Sequence, residues 1–121
     1  MKKLTDIFKI LSEETRLRII VLLAQNELCV CELSYILDVS QPNISKNLSK
    51  LKDLDLVTSE RKEKFIFYKL KIENKIMSDI VKEILDNLEN YPQLVIDQSR
   101  NIDNQKLLDQ CCNHHAIQLQ N

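Results

Sequence analysis

Apolar side chains recur along this chain at helical spacing, interrupted once by a stretch of alternation, and the pattern predicts a mainly α fold with one β-hairpin. Thr5–Leu11 reads as a short helix. Ser12 is placed as the N-cap of a second, with Glu13 and Glu14 in its first turn and Leu17, Ile20, Val21 and Ala24 as its buried stripe. Gln25 and Asn26 break it, and a third helix is predicted over Glu27–Leu37 with Val30, Leu33 and Leu37 facing in. After the turn Asp38-Val39, Ser40 caps a fourth helix. Pro42 does no damage in its first turn, where the missing amide has no partner anyway, and Ile44, Leu48 and Leu51 mark the inward face.

Alternation takes over at Leu56–Arg61 and Phe65–Leu70, two strands joined by a Lys62-Glu63-Lys64 tip. From Glu73 the helical period returns with Ile76 or Met77, Ile80, Val81, Ile84, Leu85 and Leu88. Such a stripe, arriving after the core is complete, packs on that core, pairs with a second copy of itself in a two-fold homodimer, or does both. Tyr91-Pro92 ends or kinks the helix, because proline disfavours the helical conformation of the residue before it. In Gln93–Asn121 the apolar residues are too sparse to define an element. The organisation read from this is a winged helix-turn-helix core at 1–72, a dimerisation helix at 73–90 and a C-terminal extension at 91–121.

Charge changes the picture for the middle of the chain. The net charge is only −1, yet Ser40–Lys71 carries eight basic against four acidic side chains, so a polyanion would bind there. The outward face of the fourth helix presents Ser40, Gln41, Asn43, Ser45, Lys46, Ser49 and Lys50. Short polar arms suit base edges and lysines suit phosphates, as a helix in the DNA major groove requires. Arg61, Lys62 and Lys64 on the hairpin are placed for phosphates beside the groove.

Composition removes other readings. With no glycine in 121 residues, P-loops, dinucleotide fingerprints and nucleophile elbows cannot be written, and where left-handed backbone is unavoidable Asn or Asp should supply it. No enzyme site is identifiable. The longest apolar run, Ile19–Ala24, is far short of the roughly 18 residues of a membrane span, and no signal peptide is evident, so a cytoplasmic protein without a membrane partner is expected. The four cysteines come as two close pairs, Cys29-Val-Cys31 and Cys111-Cys112, the latter followed by His114 and His115. Close pairs suit a shared soft ion better than a disulfide framework, although a small buried residue is the bland reading of each.

Thr15-Arg16-Leu17-Arg18-Ile19, Glu27-Leu28-Cys29-Val30-Cys31-Glu32-Leu33, Ser40-Gln41-Pro42-Asn43-Ile44-Ser45, Leu56-Val57 and Tyr68-Lys69-Leu70 together resemble the ArsR/SmtB family of winged-helix metalloregulators. The resemblance covers about Leu4–Leu88. It implies a homodimeric repressor that occupies operator DNA in the apo form and leaves when a metal or metalloid binds the cysteine box. Trivalent arsenic is the implied inducer, with cadmium, lead or zinc as alternatives. Arsenic sensors of this kind often have a third cysteine where this chain has Ser34, and Cys111, Cys112, His114 and His115 are the candidates to complete the donor set. Asn47 stands where the family often has histidine, and Asn26, Asp38, Asp55 and Glu63 stand where it often has glycine. Asn26, Asp38 and Asp55 are therefore expected to have positive φ or to carry turn hydrogen bonds. Cys29 and Cys31, read as two positions of one helix, point about 200° apart, which predicts that its first turn distorts to grip an ion. A thiol redox switch on the same DNA-binding fold, and a metal-buffering or protein-interaction module, are the competing readings.

Overall fold

A computed structural model describes residues 2–104. The elements run α1 (Lys2–Leu11), α2 (Glu14–Leu23), β1 (Leu28–Cys29), α3 (Val30–Leu37), α4 (Gln41–Asp53), β2 (Val57–Lys62), β3 (Phe65–Leu70), α5 (Lys75–Asp86), a 3-10 turn (Leu88–Asn90) and a last helix, α6, over residues 92–104. Cys111, Cys112, His114 and His115 lie outside the described residues.

Helix α2 is the centre of the molecule. Instead of a single stripe it buries five consecutive side chains, Ile19–Leu23, because α1, α4, α5 and the sheet surround it. Its cap is Glu13, not Ser12: the Glu13 carboxylate accepts the Thr15 and Arg16 amides at 3.1 and 2.9 Å. Burial pushes this carboxyl up, but the two amides and the Arg16 charge outweigh it and hold it below its ordinary value. Ser12 instead donates its hydroxyl to the Lys9 carbonyl and closes α1. Ile44, Leu48 and Leu51 of α4 are fully buried against this centre, and Ser40 caps α4 through the Asn43 amide.

The third helix begins later than its apolar pattern predicts. Leu28 and Cys29 are a short strand, and β1 adds to the hairpin to make a three-stranded antiparallel sheet in the order β1-β3-β2. Leu28 pairs with Tyr68 and Cys29 with Phe67. Within the hairpin, Val57 pairs with Leu70 and Lys62 with Phe65, so the tip is Glu63-Lys64.

Among the described residues, three have positive φ without being glycine: Asp38 at 56°, Asp55 at 61° and Glu63 at 58°. Asp38 ends α3 in the left-handed conformation, and Asp55 turns the chain out of α4 with its carboxylate 3.1 Å from Lys71. Asn26 keeps negative φ and carries a turn hydrogen bond, its amide reaching the Leu22 carbonyl.

Met77, Val81 and Leu85 of α5 pack on the chain's own core. Leu88 and Leu94 form a second, smaller cluster with Val21, Leu17 and Ile84. Beyond Pro92, where sparse apolar residues define no element, the chain forms α6. It is fastened by polar groups: Asp97 takes a two-pronged bond from Arg18 at 2.9 and 2.9 Å, Asn101 bonds Asn26, Arg100 reaches the Tyr35 carbonyl and covers its ring, and Asn104 bonds Glu32.

Candidate functional site

The first cysteine pair sits where the sheet hands over to α3. Cys29 is the N-cap, in extended backbone at φ −95°, ψ 172°, and only 5% exposed; Cys31 lies in the first turn and is exposed. The two thiols are therefore not both on one regular helix, and the predicted distortion of a first turn holding them has no basis here. Cys29 is already outside the helix and needs no unwinding to turn toward Cys31.

Glu32 controls the environment of Cys29. One carboxylate oxygen accepts the Cys29 amide at 3.2 Å, and the other accepts the Asn104 side-chain amide at 2.8 Å. Burial pushes the Cys29 thiol from 9.0 up to about 12; the neighbouring Glu32 and Cys31 charges push the same way, against the Glu32 backbone hydrogen bond. Cys29 is thus a neutral thiol near pH 7. Ser34 is not turned to the cysteines: its hydroxyl donates to the Val39 carbonyl at 2.5 Å and so braces the turn into α4. Among the described residues no group of three or more His, Cys, Asp or Glu is close enough to hold a metal ion. The described donor set is two thiols, which fits a soft centre accepting two sulfurs and leaves a further ligand to be supplied from elsewhere.

An open cleft joins this box to the basic region. Its lining includes Cys29 and Cys31, Ser45 from α4, and Lys64, Phe65 and Tyr68 from the hairpin. Ser40, Gln41, Asn43, Ser45, Lys46, Ser49 and Lys50 are all exposed along α4, and Arg61, Lys62 and Lys64 are exposed on the hairpin. The amines are not equally available. Lys62 is 3.2 Å from Glu27 and lies over the Phe67 ring, whereas Arg61 bonds the Glu63 carbonyl across the tip. Lys52 bonds Ser59 and so fixes α4 to β2.

Of the buried polar side chains, two flank this site and have no role in the sequence pattern. Asn47, a departure from the family's histidine, is 6% exposed and bonds Asn43 and Arg16. Glu32 stands three residues after Cys29, the spacing of a capping-box acid, and that spacing is the signal that locates it.

No described helix is long and apolar enough to cross a membrane. Residues 13–59 match the family described as bacterial regulatory protein, arsR family. The chain is 36% identical over 112 residues to the arsenic resistance transcriptional regulator ArsR2 of Pseudomonas putida, covering 88% of this chain and 95% of that one. It is 46% identical over 66 residues to the arsenical resistance operon repressor of Escherichia coli, covering 54% of this chain and 56% of the relative, so that match spans only about half of either protein. In three dimensions it is similar to reduced HlyU from Vibrio cholerae, with a TM-score of 0.62, 30% identity and coverage of 69% and 85%. The fold, a winged helix-turn-helix with its cysteine box at the root of the wing, and the near full-length likeness to ArsR2 lead to one conclusion: the chain belongs to the ArsR family of DNA-binding transcriptional regulators.

Proposed function

We propose that this protein is a metalloid-responsive repressor: the apo homodimer holds operator DNA through α4 and the wing, and trivalent arsenic, or failing that a soft divalent ion such as cadmium, lead or zinc, releases it by binding Cys29 and Cys31. The observation that carries this reading is the shared cleft, in which the two thiols, Ser45 of α4 and Lys64 of the wing line one surface. An ion drawing the thiols together acts directly on the elements that face DNA. The relatives named for arsenic resistance support the choice of ion.

Two thiolates are enough for a trivalent arsenic that keeps one other substituent. Cys111 and Cys112, with His114 and His115, are the proposed source of a third donor. Exposed Ile76 on α5 and Val95, Ile96 and Ile102 on α6 supply apolar surface for a second copy, and a dimer allows two recognition helices to enter successive major grooves about 34 Å apart.

Operator DNA, followed by fluorescence anisotropy under anaerobic conditions and titrated with arsenite, cadmium, lead and zinc, tests the proposal. Arsenite should release the wild type. The double variant Cys29→Ser/Cys31→Ser should bind the operator as before and ignore arsenite. Release by peroxide but by none of the four ions would establish the thiol redox switch instead, and no operator binding at any salt concentration would leave the interaction module. Truncation after Gln110 tests the tail: weaker or less selective release assigns it a ligand role, and unchanged release removes it from the site.

A further inference from the structure

The face of α4 directed outward carries one side chain whose orientation is dictated by its neighbours. Arg16 is held against the end of α1, its Nε and Nη2 directed to the Ile10 and Lys9 carbonyls at 3.3 and 3.4 Å. Its Nη1 reaches the Asn47 Oδ1 at 3.5 Å. A guanidinium has only donors, so Asn47 must turn its oxygen toward Arg16. The same orientation is demanded independently from the other side, where the Asn47 Nδ2 donates to the Asn43 main-chain carbonyl at 3.0 Å, an acceptor that cannot be reversed. That nitrogen also meets the Asn43 side chain at 2.7 Å, and because it is a donor the atom it meets is the Asn43 Oδ1. Asn47 itself is buried, which shields its end of these bonds from water.

The consequence falls on Asn43, which is exposed in the first turn of α4, the part of a recognition helix that meets base edges. The bond to Asn47 holds one lone pair of its oxygen toward the next turn of its own helix, so the Nδ2 end of the amide is the one directed away from Asn47. An asparagine recognises adenine with both ends of its amide, accepting from N6 and donating to N7. One presenting only donors is matched instead by guanine, whose N7 and O6 acceptors lie side by side, and is opposed by the adenine N6 amine. We propose that Asn43 is a specificity-determining residue that reads guanine through a donor-only amide, and that Arg16 and Asn47 are the positioning residues that make it so. This rests on the DNA-binding reading above.

Selection of bound duplexes from a randomised operator library, with the full-length protein, tests it. Wild type should prefer guanine over adenine at one base pair of each half-site, by about threefold to tenfold for a hydrogen bond gained. Asn43→Ala should flatten that position alone. Asn47→Ala frees the Asn43 amide to reverse and should move the preference at that position to adenine, with affinity for non-specific DNA and its salt slope unchanged. Should Asn47→Ala fold poorly, Asn43→Asp at the exposed position removes the donors and should abolish the guanine preference. The proposal is overturned if wild type prefers adenine at the position that Asn43→Ala flattens, if Asn43→Ala flattens none, or if a folded Asn47→Ala leaves the preference in place. Enrichment of no sequence at all is a different result, and it removes the DNA-binding reading itself.

Discussion

A chain without glycine must put side chains where backbone sterics disfavour them, and among the described residues three bear that cost. Asp38 and Asp55 are of a type that tolerates the left-handed region, and Asp55 gains an ion pair with Lys71. Glu63, at the wing tip with φ 58°, is of a type that does not. Glu63→Gly should therefore stabilise the protein by about 1 kcal/mol in urea unfolding. Asp55→Gly should gain less, since it also removes the Lys71 pair; an equal gain at both positions would contradict the argument. Cys29 carries the other residue-scale expectation. Its thiol is harder to ionise when folded than when unfolded, so the folded chain holds the proton more tightly. Its contribution to stability is complete below pH 9 and is lost as pH rises from 9 toward 12. Wild type minus Cys29→Ser, compared across that range, isolates it. The same proton distinguishes inducers. A divalent cation must expel it, so cadmium affinity should fall about tenfold for each unit that the pH is lowered, per thiol proton released, whereas arsenous acid brings hydroxyl groups that leave as water with the thiol protons. Its affinity should be nearly flat from pH 6 to 8, a contrast calorimetry in buffers of different ionisation enthalpy reads directly.

Helix α6 is the element on which packing and chemistry depend together. Its inward face is Leu94 followed by Asp97, Asn101 and Asn104, all buried, and its ion pair is Arg18–Asp97, with side chains 13% and 2% exposed. Asp97→Ala leaves a largely buried guanidinium with the Leu37 carbonyl and the charge of Glu14 and should cost about 3 kcal/mol. Arg18→Met together with Asp97→Leu should restore most of that stability, because it is the unpaired charge that is costly. A double variant no more stable than Asp97→Ala would mean the pair itself is what fastens α6. The polar character of this face explains why α6 was unreadable in the sequence. Periodicity reveals helices by their apolar stripes, and here hydrogen bonds take the place of the stripe. Helix α4 and the wing were readable for the opposite reason: Ser40, Pro42, Ile44, Leu48 and Leu51 all agree on one helix, and Phe65–Leu70 alternates. Strand β1 escaped notice because two residues set no period. Its pairing with Phe67 and Tyr68 is a long-range property that Glu27–Leu33 alone does not encode. The cysteine box was therefore found by residue type, while its geometry, a buried cap beside an exposed first-turn thiol, came only with the fold.

At the scale of the whole molecule, the proposed release gains a second route from the box to the wing through β1. The turn Asp38-Val39 links α3 to α4, braced by Ser34, but Cys29 is also a member of the sheet, opposite Phe67 in β3, whose other neighbour is β2. A shift of Cys29 toward Cys31 bears on the wing through the strand ladder as well as on α4 through the turn. Glu27, two residues before Cys29, already holds Lys62 of the wing, so the same movement loosens or tightens a candidate phosphate contact. Coupling between inducer and operator is reciprocal, and one of ordinary size, 1–3 kcal/mol, appears as a change of about 5–150-fold. Arsenite should weaken operator binding by the same factor by which operator weakens arsenite binding. Replacing residues 61–66 with a two-residue Asn-Gly turn removes Arg61, Lys62 and Lys64, keeps Glu60 opposite Phe67 and so leaves Phe67 and Tyr68 to pair with β1. In this variant arsenite affinity without DNA should be unchanged, and operator binding should lose up to three units of salt slope if all three side chains touch phosphate. If the wing carries part of the coupling, the factor by which arsenite and operator oppose each other should shrink with it. A variant that loses salt slope yet keeps the full coupling factor would place the whole of the transmission in α3, Asp38-Val39 and α4.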